Sequence, residues 1–163
     1  MKKGEHLPMY GVGPIYVYVI AAMTLAAVLM RDLPAFASGR LEMAQKLLLA
    51  LGVLLIAAGV ALWVYAVPVS KIDDGIRENR LVTTGAYALV RNPIYSAVLI
   101  ACTGVLMIAG NAWFFVLPFV YWLFMTVLMK ATEEKWLRDL YGKEYDEYCK
   151  RVNRCWPWFP KRL

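Results

Sequence analysis

Histidine and cysteine are nearly missing from this sequence: one histidine, His6, and three cysteines stand among 163 residues. A structural metal site needs several such ligands at close spacing. Cys102, Cys149 and Cys155 show no such pattern, so no metal is expected, and three cysteines make no disulfide framework. Charge is missing too, over long stretches. Gly11 to Met30 and Ile94 to Met129 contain no charged residue, and Ala44 to Val69 holds only Lys46. With 61% hydrophobic residues and a mean hydropathy of +0.52, the chain is too apolar for one soluble core of this size.

The uncharged runs supply the alternative, because about 20 apolar residues cross a bilayer as a helix. The third run, 36 residues long, is expected to form two helices that turn near Gly110-Asn111. The expected fold is all-α, a single-domain polytopic membrane bundle of about four spans, at 11–30, 45–69, 94–110 and 112–130. The last two form a hairpin, Pro118 is placed to kink the fourth span, and a polar loop (70–93) and an amphipathic tail (131–163) complete the chain.

Lys2-Lys3, the first apolar run and Ala35-Phe36-Ala37 imitate a secretory signal with its cleavage site. The run is longer than a signal's apolar region of roughly 7–15 residues. Arg31 and Asp32 also interrupt it, so the segment reads as a retained helix. The net charge of +6 then follows topology. All of the 18 Lys and Arg residues except Arg31, Arg40 and Lys46 fall on one side of the four spans. The positive-inside rule puts that side, with both termini, in the cytoplasm. Anionic lipid accounts for the charge, and nucleic acid is not needed.

Polar chemistry collects on that charged side. In Tyr87-Ala-Leu-Val-Arg-Asn-Pro-Ile-Tyr95, Asn92 suits an N-cap and Pro93 a first helical position, with Thr83-Thr84-Gly85 forming a turn just before. Leu137, Leu140, Tyr141, Tyr145, Tyr148 and Val152 recur at helical spacing in the tail, which fits one amphipathic helix or two broken at Gly142. Trp156, Trp158 and Phe159 suit headgroup depth, and the bland reading of the tail is a surface anchor. Glu133 and Glu134 end a membrane helix in this reading, where the macrodipole disfavours anions. Lys130 is spaced to pair with either of them. Cys102 reads as a packing residue, His6 as an exposed terminal residue, and the aromatic-rich Trp113 to Trp122 as an interfacial belt or an acceptor path.

Taken in order, Gly85-x-Tyr87, Arg91-Asn92-Pro93-x-Tyr95, the apolar hairpin, Glu133-Glu134 and "LYGKEYDEYCKRV" resemble the isoprenylcysteine carboxyl methyltransferase family and its phospholipid methyltransferase relatives. The resemblance covers roughly Leu81 to Pro157. It implies an integral membrane enzyme that uses S-adenosylmethionine. The cofactor would lie between the C-terminal membrane helices and the tail, and a lipophilic acceptor would arrive from the bilayer. Carried over, Tyr87, Asn92, Pro93, Tyr95, Glu133, Glu134, Tyr145 and Tyr148 are implied in cofactor binding, and Arg91, Lys130 and Glu134 in catalysis. Two positions depart from the prenylcysteine enzymes: Asn92 replaces a histidine, and Lys130 stands near where an arginine is usual. Asparagine there resembles the phospholipid N-methyltransferases, so carboxylate, amine and thiol acceptors all stay open. A scaffold anchored by its tail is the reading from another class.

Overall fold

The structure is a computed structural model, and it describes residues 11–70 and 72–158. His6, Lys2-Lys3 and Phe159 lie outside the described residues. Eight α-helices follow one another in the described chain: α1 (Gly13–Met30), α2 (Gln45–Val64), α3 (Ile72–Arg77), α4 (Ala86–Leu89), α5 (Pro93–Ala109), α6 (Leu117–Ala131), α7 (Glu133–Tyr141) and α8 (Lys143–Arg151). Among the described residues there is no strand, and Arg40 and Asn111 form one isolated bridge between the two connections at the far end. The all-α expectation agrees with this.

Three helical stretches, Gly13–Met30, Glu42–Val69 and Ala112–Tyr141, contain apolar segments long enough to cross a membrane, the last of them broken at Thr132 after its apolar part. α5 is the fourth, and its 17 residues reach roughly 25 Å at about 1.5 Å per residue, near the lower limit for a span. A helix that is apolar all round has no water-facing side and needs only one edge for protein contacts. Accordingly α2 buries only Leu48, Gly52 and Gly59. α1 buries Gly13, Tyr16, Ile20, Thr24 and Ala27 at three- and four-residue steps. α5 lies at the centre and packs against α1, α2 and α6, whereas α1 and α2 make no comparable contact with each other. Inside the bundle, Thr24 Oγ1 and Tyr121 OH share a hydrogen bond of 2.9 Å, so the buried hydroxyls satisfy one another.

Three expectations change in detail. Pro118 does not kink a span; it sits in the first turn of α6, after a 3₁₀ turn over Ala112–Val116. A proline there removes a donor that has no partner in any case. Asn92 holds the N-cap position of α5 without a side-chain capping bond. Its Nδ2 instead donates to the Arg154 carbonyl at 3.0 Å. Glu133 and Glu134 do not end a membrane helix. Thr132, at φ −127° and ψ −91°, breaks the chain after Ala131, and both glutamates fall in the first turn of α7. A helix N-terminus favours anions, so the macrodipole works for them.

The distal end of α2 widens into a π-turn over Tyr65–Val69 that contains Pro68. Proline lacks the N–H that would reach back one turn, and the chain closes by a wider bond, Ser70 N to the Tyr65 carbonyl at 3.0 Å. The tail helices break at Gly142, whose φ of +54° favours glycine. Their apolar face does not simply rest on lipid. Tyr145, Tyr148 and Val152 form a buried cluster with Leu81, Leu137, Tyr141 and Cys149, which folds the tail back onto the loop. Trp156 and Trp158 stay exposed, as interfacial aromatics would.

Candidate functional site

A cavity of about 800 Å³ opens where the start of α1, the π-turn after α2, the loop near residue 80, the start of α5 and the tail helices meet. That volume is near the upper end of the range of ~300–1,000 Å³ usual for small-molecule sites. Aromatic and aliphatic side chains dominate the walls, and Arg80, Arg91 and Glu133 bring charge to them.

Most of the residues implied by the motif comparison converge here. Tyr87, Arg91, Asn92, Pro93, Tyr95, Glu133, Tyr145 and Tyr148 all line the cavity. Two do not. Lys130 is exposed on the last turn of α6 and is not part of the lining. Glu134 is buried behind the wall, not on it.

The two glutamates therefore live in different surroundings, although they are adjacent in sequence. Successive residues on a helix point about 100° apart, so one can face the cavity while its neighbour faces the protein. Glu133 Oε1 accepts hydrogen bonds from Tyr95 OH at 2.6 Å and from the backbone N–H of Val12 at 3.0 Å. Burial pushes its carboxyl above the usual carboxylate range, and the two donors pull part of the way back. Glu134 is also penalised by burial, but the hydrogen bond from Arg154 and the charges of Arg91, Arg154 and Arg138 outweigh that and hold it low. It is thus a fixed anion.

Arg91 is the buried cation of the site. Its side chain is 9% exposed and lies 3.5 Å from Glu134 Oε1. One terminal nitrogen also donates to Tyr145 OH at 3.4 Å and to the Cys149 sulfur. Its Nε, although buried, has no partner among the described residues. Burial raises the phenols of Tyr145 and Tyr148 well above their ordinary range, so both remain neutral donors. Tyr148 OH donates to the Tyr87 carbonyl at 2.6 Å and ties α8 to α4.

Several participants were not read from the sequence. Arg154 forms a two-pronged ion pair with Glu134. Leu81, Trp136 and Trp63 are walls, and Gly11 to Val12 bring the start of α1 onto Glu133. None of these has a local pattern that marks it; each arrives by tertiary folding.

Residues 46–144 match the family described as "Phospholipid methyltransferase". The chain belongs to the phospholipid methyltransferase family. Among curated relatives, the protein-S-isoprenylcysteine O-methyltransferase of Schizosaccharomyces pombe is 35% identical over 85 residues, covering 52% of this chain and 36% of that protein. The probable protein-S-isoprenylcysteine O-methyltransferase of Oryza sativa subsp. indica is 35% identical over 77 residues, or 47% of this chain and 40% of that protein. The chain thus spans less than half the length of the curated relatives it matches. No solved structure matches the chain. The family match takes in α2 through α7 and stops at the start of α8. Arg154 and the start of α1 fall outside it, so the two groups that partner the glutamates from outside lie beyond the family-matched segment.

Proposed function

We propose that this protein transfers a methyl group from S-adenosylmethionine to a lipophilic acceptor, at the end of the bundle that faces the cytoplasm. The observation that carries the reading is that one cavity is lined by both a buried carboxylate, Glu133, and a guanidinium, Arg91. A zwitterionic amino acid group needs both. Glu133 suits the ammonium and Arg91 the carboxylate, each through charge-assisted hydrogen bonds. Tyr87, Tyr95 and Tyr145 give aromatic faces for the nucleoside or for a cationic sulfur. When bound, the sulfonium donor supplies an electrophilic methyl group. The protein's part is then alignment of the acceptor in line with it.

Access for the acceptor follows from the packing. α1 and α2 both lean on α5 and make no comparable contact with each other. The cavity reaches between them, lined by Pro14, Val17, Tyr18, Trp63 and Val67. Tyr18 and Trp63 are exposed on the outside of the bundle, where lipid would lie. A lipid-soluble acceptor therefore has a side entrance, and a water-soluble donor has the charged end. The concentration of Lys and Arg at that end supports its cytoplasmic orientation.

A prenylcysteine-like carboxylate is the first acceptor class, in line with the names of the relatives. It is already a nucleophile: its oxygen forms the new bond to carbon, the carbon–sulfur bond breaks, the electron pair stays on sulfur, and no base is required. The position of Lys130 off the cavity favours a second class, a lipid amine. An amine in its free-base form needs no cation to hold it: its nitrogen forms the bond to carbon, and the ammonium that results releases its proton to water. Calorimetry with S-adenosylhomocysteine on the detergent-purified chain tests the cofactor reading, and saturable binding is expected. Absence of binding at millimolar ligand would favour the scaffold. A labelled-methyl assay across prenylcysteine analogues, phosphatidylethanolamine and lipophilic thiols then separates the acceptors.

A further inference from the structure

Glu134 has the position of a site residue and the surroundings of a structural one. Both of its oxygens are taken by Arg154: Nε reaches Oε1, and the terminal nitrogen reaches Oε2 at 3.1 Å. Arg91 touches only the edge of the same carboxylate, at 3.5 Å. The trio carries one negative and two positive charges, so a net positive charge is left on the cavity side. If Arg154 were absent, Arg91 would be the cation left in contact with Glu134, with Arg138 acting on it only through its charge. A buried carboxylate with one arginine draws it into a full two-pronged pair.

We propose that Arg154 is a positioning residue: by saturating Glu134, it keeps the guanidinium of Arg91, which lines the cavity, from being drawn fully onto that carboxylate and so leaves it available for an anionic group in the cavity. This rests on the cofactor reading of the site and assigns the anionic group as the carboxylate of the donor's amino acid part. Arg154 does not line the cavity itself, so it acts only through Glu134 and Arg91.

The segment after α8 is built to hold Arg154 in place without help from its side chain. The Asn153 carbonyl accepts from the Arg91 backbone N–H at 2.8 Å, and Trp158 N–H donates to the Leu89 carbonyl at 3.0 Å. The Arg154 carbonyl accepts from Asn92 Nδ2 at 3.0 Å, and the Cys155 carbonyl from Ser96 Oγ at 2.6 Å. This strap crosses the start of α5 from below and gives Asn92 a role, as a clip on the strap. Because these bonds belong to the backbone of the strap, glutamine at 154 leaves them intact. Glu134 still has Arg91, so no buried charge is stranded.

The test compares two ligands on the full chain in detergent: S-adenosylhomocysteine and its decarboxylated analogue, which keeps the nucleoside, thioether and ammonium. Arg154→Gln is expected to weaken S-adenosylhomocysteine binding by about tenfold, the scale of one charge-assisted hydrogen bond, and to leave the analogue unchanged. The double variant Glu134→Gln/Arg154→Gln removes the competitor together with its guard and should restore the affinity. Arg154→Lys should fall between, since lysine has no fork. If Arg154→Gln binds S-adenosylhomocysteine as the parent does, loses both ligands equally, or is not rescued by the double variant, the positioning role is overturned. A parent that binds neither ligand overturns the cofactor reading first, and this inference with it.

Discussion

At the scale of single residues, the site depends on how a buried carboxylate keeps its charge. Glu133 sits against apolar walls, where ionisation is costly unless donors reach it. Tyr95 is one of its two donors, at 2.6 Å. Burial raises the Glu133 carboxyl, and the Tyr95 and Val12 bonds oppose this by favouring the ionised form. Removing the phenol must therefore raise the carboxyl further. If the ionised form binds the donor's ammonium, affinity falls as pH drops through the Glu133 titration. In Tyr95→Phe that fall should begin at higher pH than in the parent, with the two curves meeting in the alkaline range. S-adenosylhomocysteine titrations at several pH values would show it. Superimposed curves would detach Tyr95 from Glu133, and a uniform loss at every pH would mean that the hydroxyl aids binding without shifting the Glu133 titration.

At the scale of elements, what was legible in the sequence was what depends on runs and periods. Uncharged stretches gave the spans because hydrocarbon excludes charge over a fixed length, and the turn at Gly110 and the break at Gly142 were visible as glycine between periodic segments. The motif residues Tyr87, Arg91, Tyr95 and Glu133 were legible as a set. The break at Thr132 was not. It follows from no proline or glycine, and it reverses the dipole that Glu133 and Glu134 feel. Arg154 was also hidden, because its partner lies twenty positions away and is reached only through the strap. Helix pairing is another property of contact. A Cβ on Gly52 would stand 2.6 Å from the Gly104 carbonyl oxygen, at a close approach of α2 and α5. Small residues are what let membrane helices come this near. Gly52→Leu should cost about 2 kcal/mol, the usual scale of overpacking, while the outward-facing Leu54→Val should be close to neutral. Denaturant unfolding in detergent compares them. Equal stabilities would mean that the pair does not set the α2–α5 distance.

At the scale of the whole molecule, the arrangement separates two routes to one cavity. The charged groups stand at the end where the loop and tail fold over, and the apolar limb opens sideways between α1 and α2. Under the proposed function, such a plan lets the donor site and the acceptor path be changed independently. Val17 and Val67 line the limb from opposite helices, and neither touches the Glu133 or Arg91 hydrogen bonds. Tryptophan at either position adds bulk where an acceptor chain would pass and leaves the charged end alone. Val17→Trp and Val67→Trp should each keep S-adenosylhomocysteine affinity within about twofold, the range of a change remote from the binding groups. Methyl transfer to a long-chain acceptor should drop by tenfold or more, roughly the cost of forcing two extra methylene-sized groups into a packed space. Transfer to a short-chain analogue of the same acceptor should suffer less. Because all three quantities come from one protein preparation, their ratio is informative even if the variants are less stable. Loss of cofactor affinity in step with transfer would mean that the limb belongs to the donor site. Equal losses for long and short acceptors would mean that the chain enters elsewhere, and the side entrance between α1 and α2 would have to be given up.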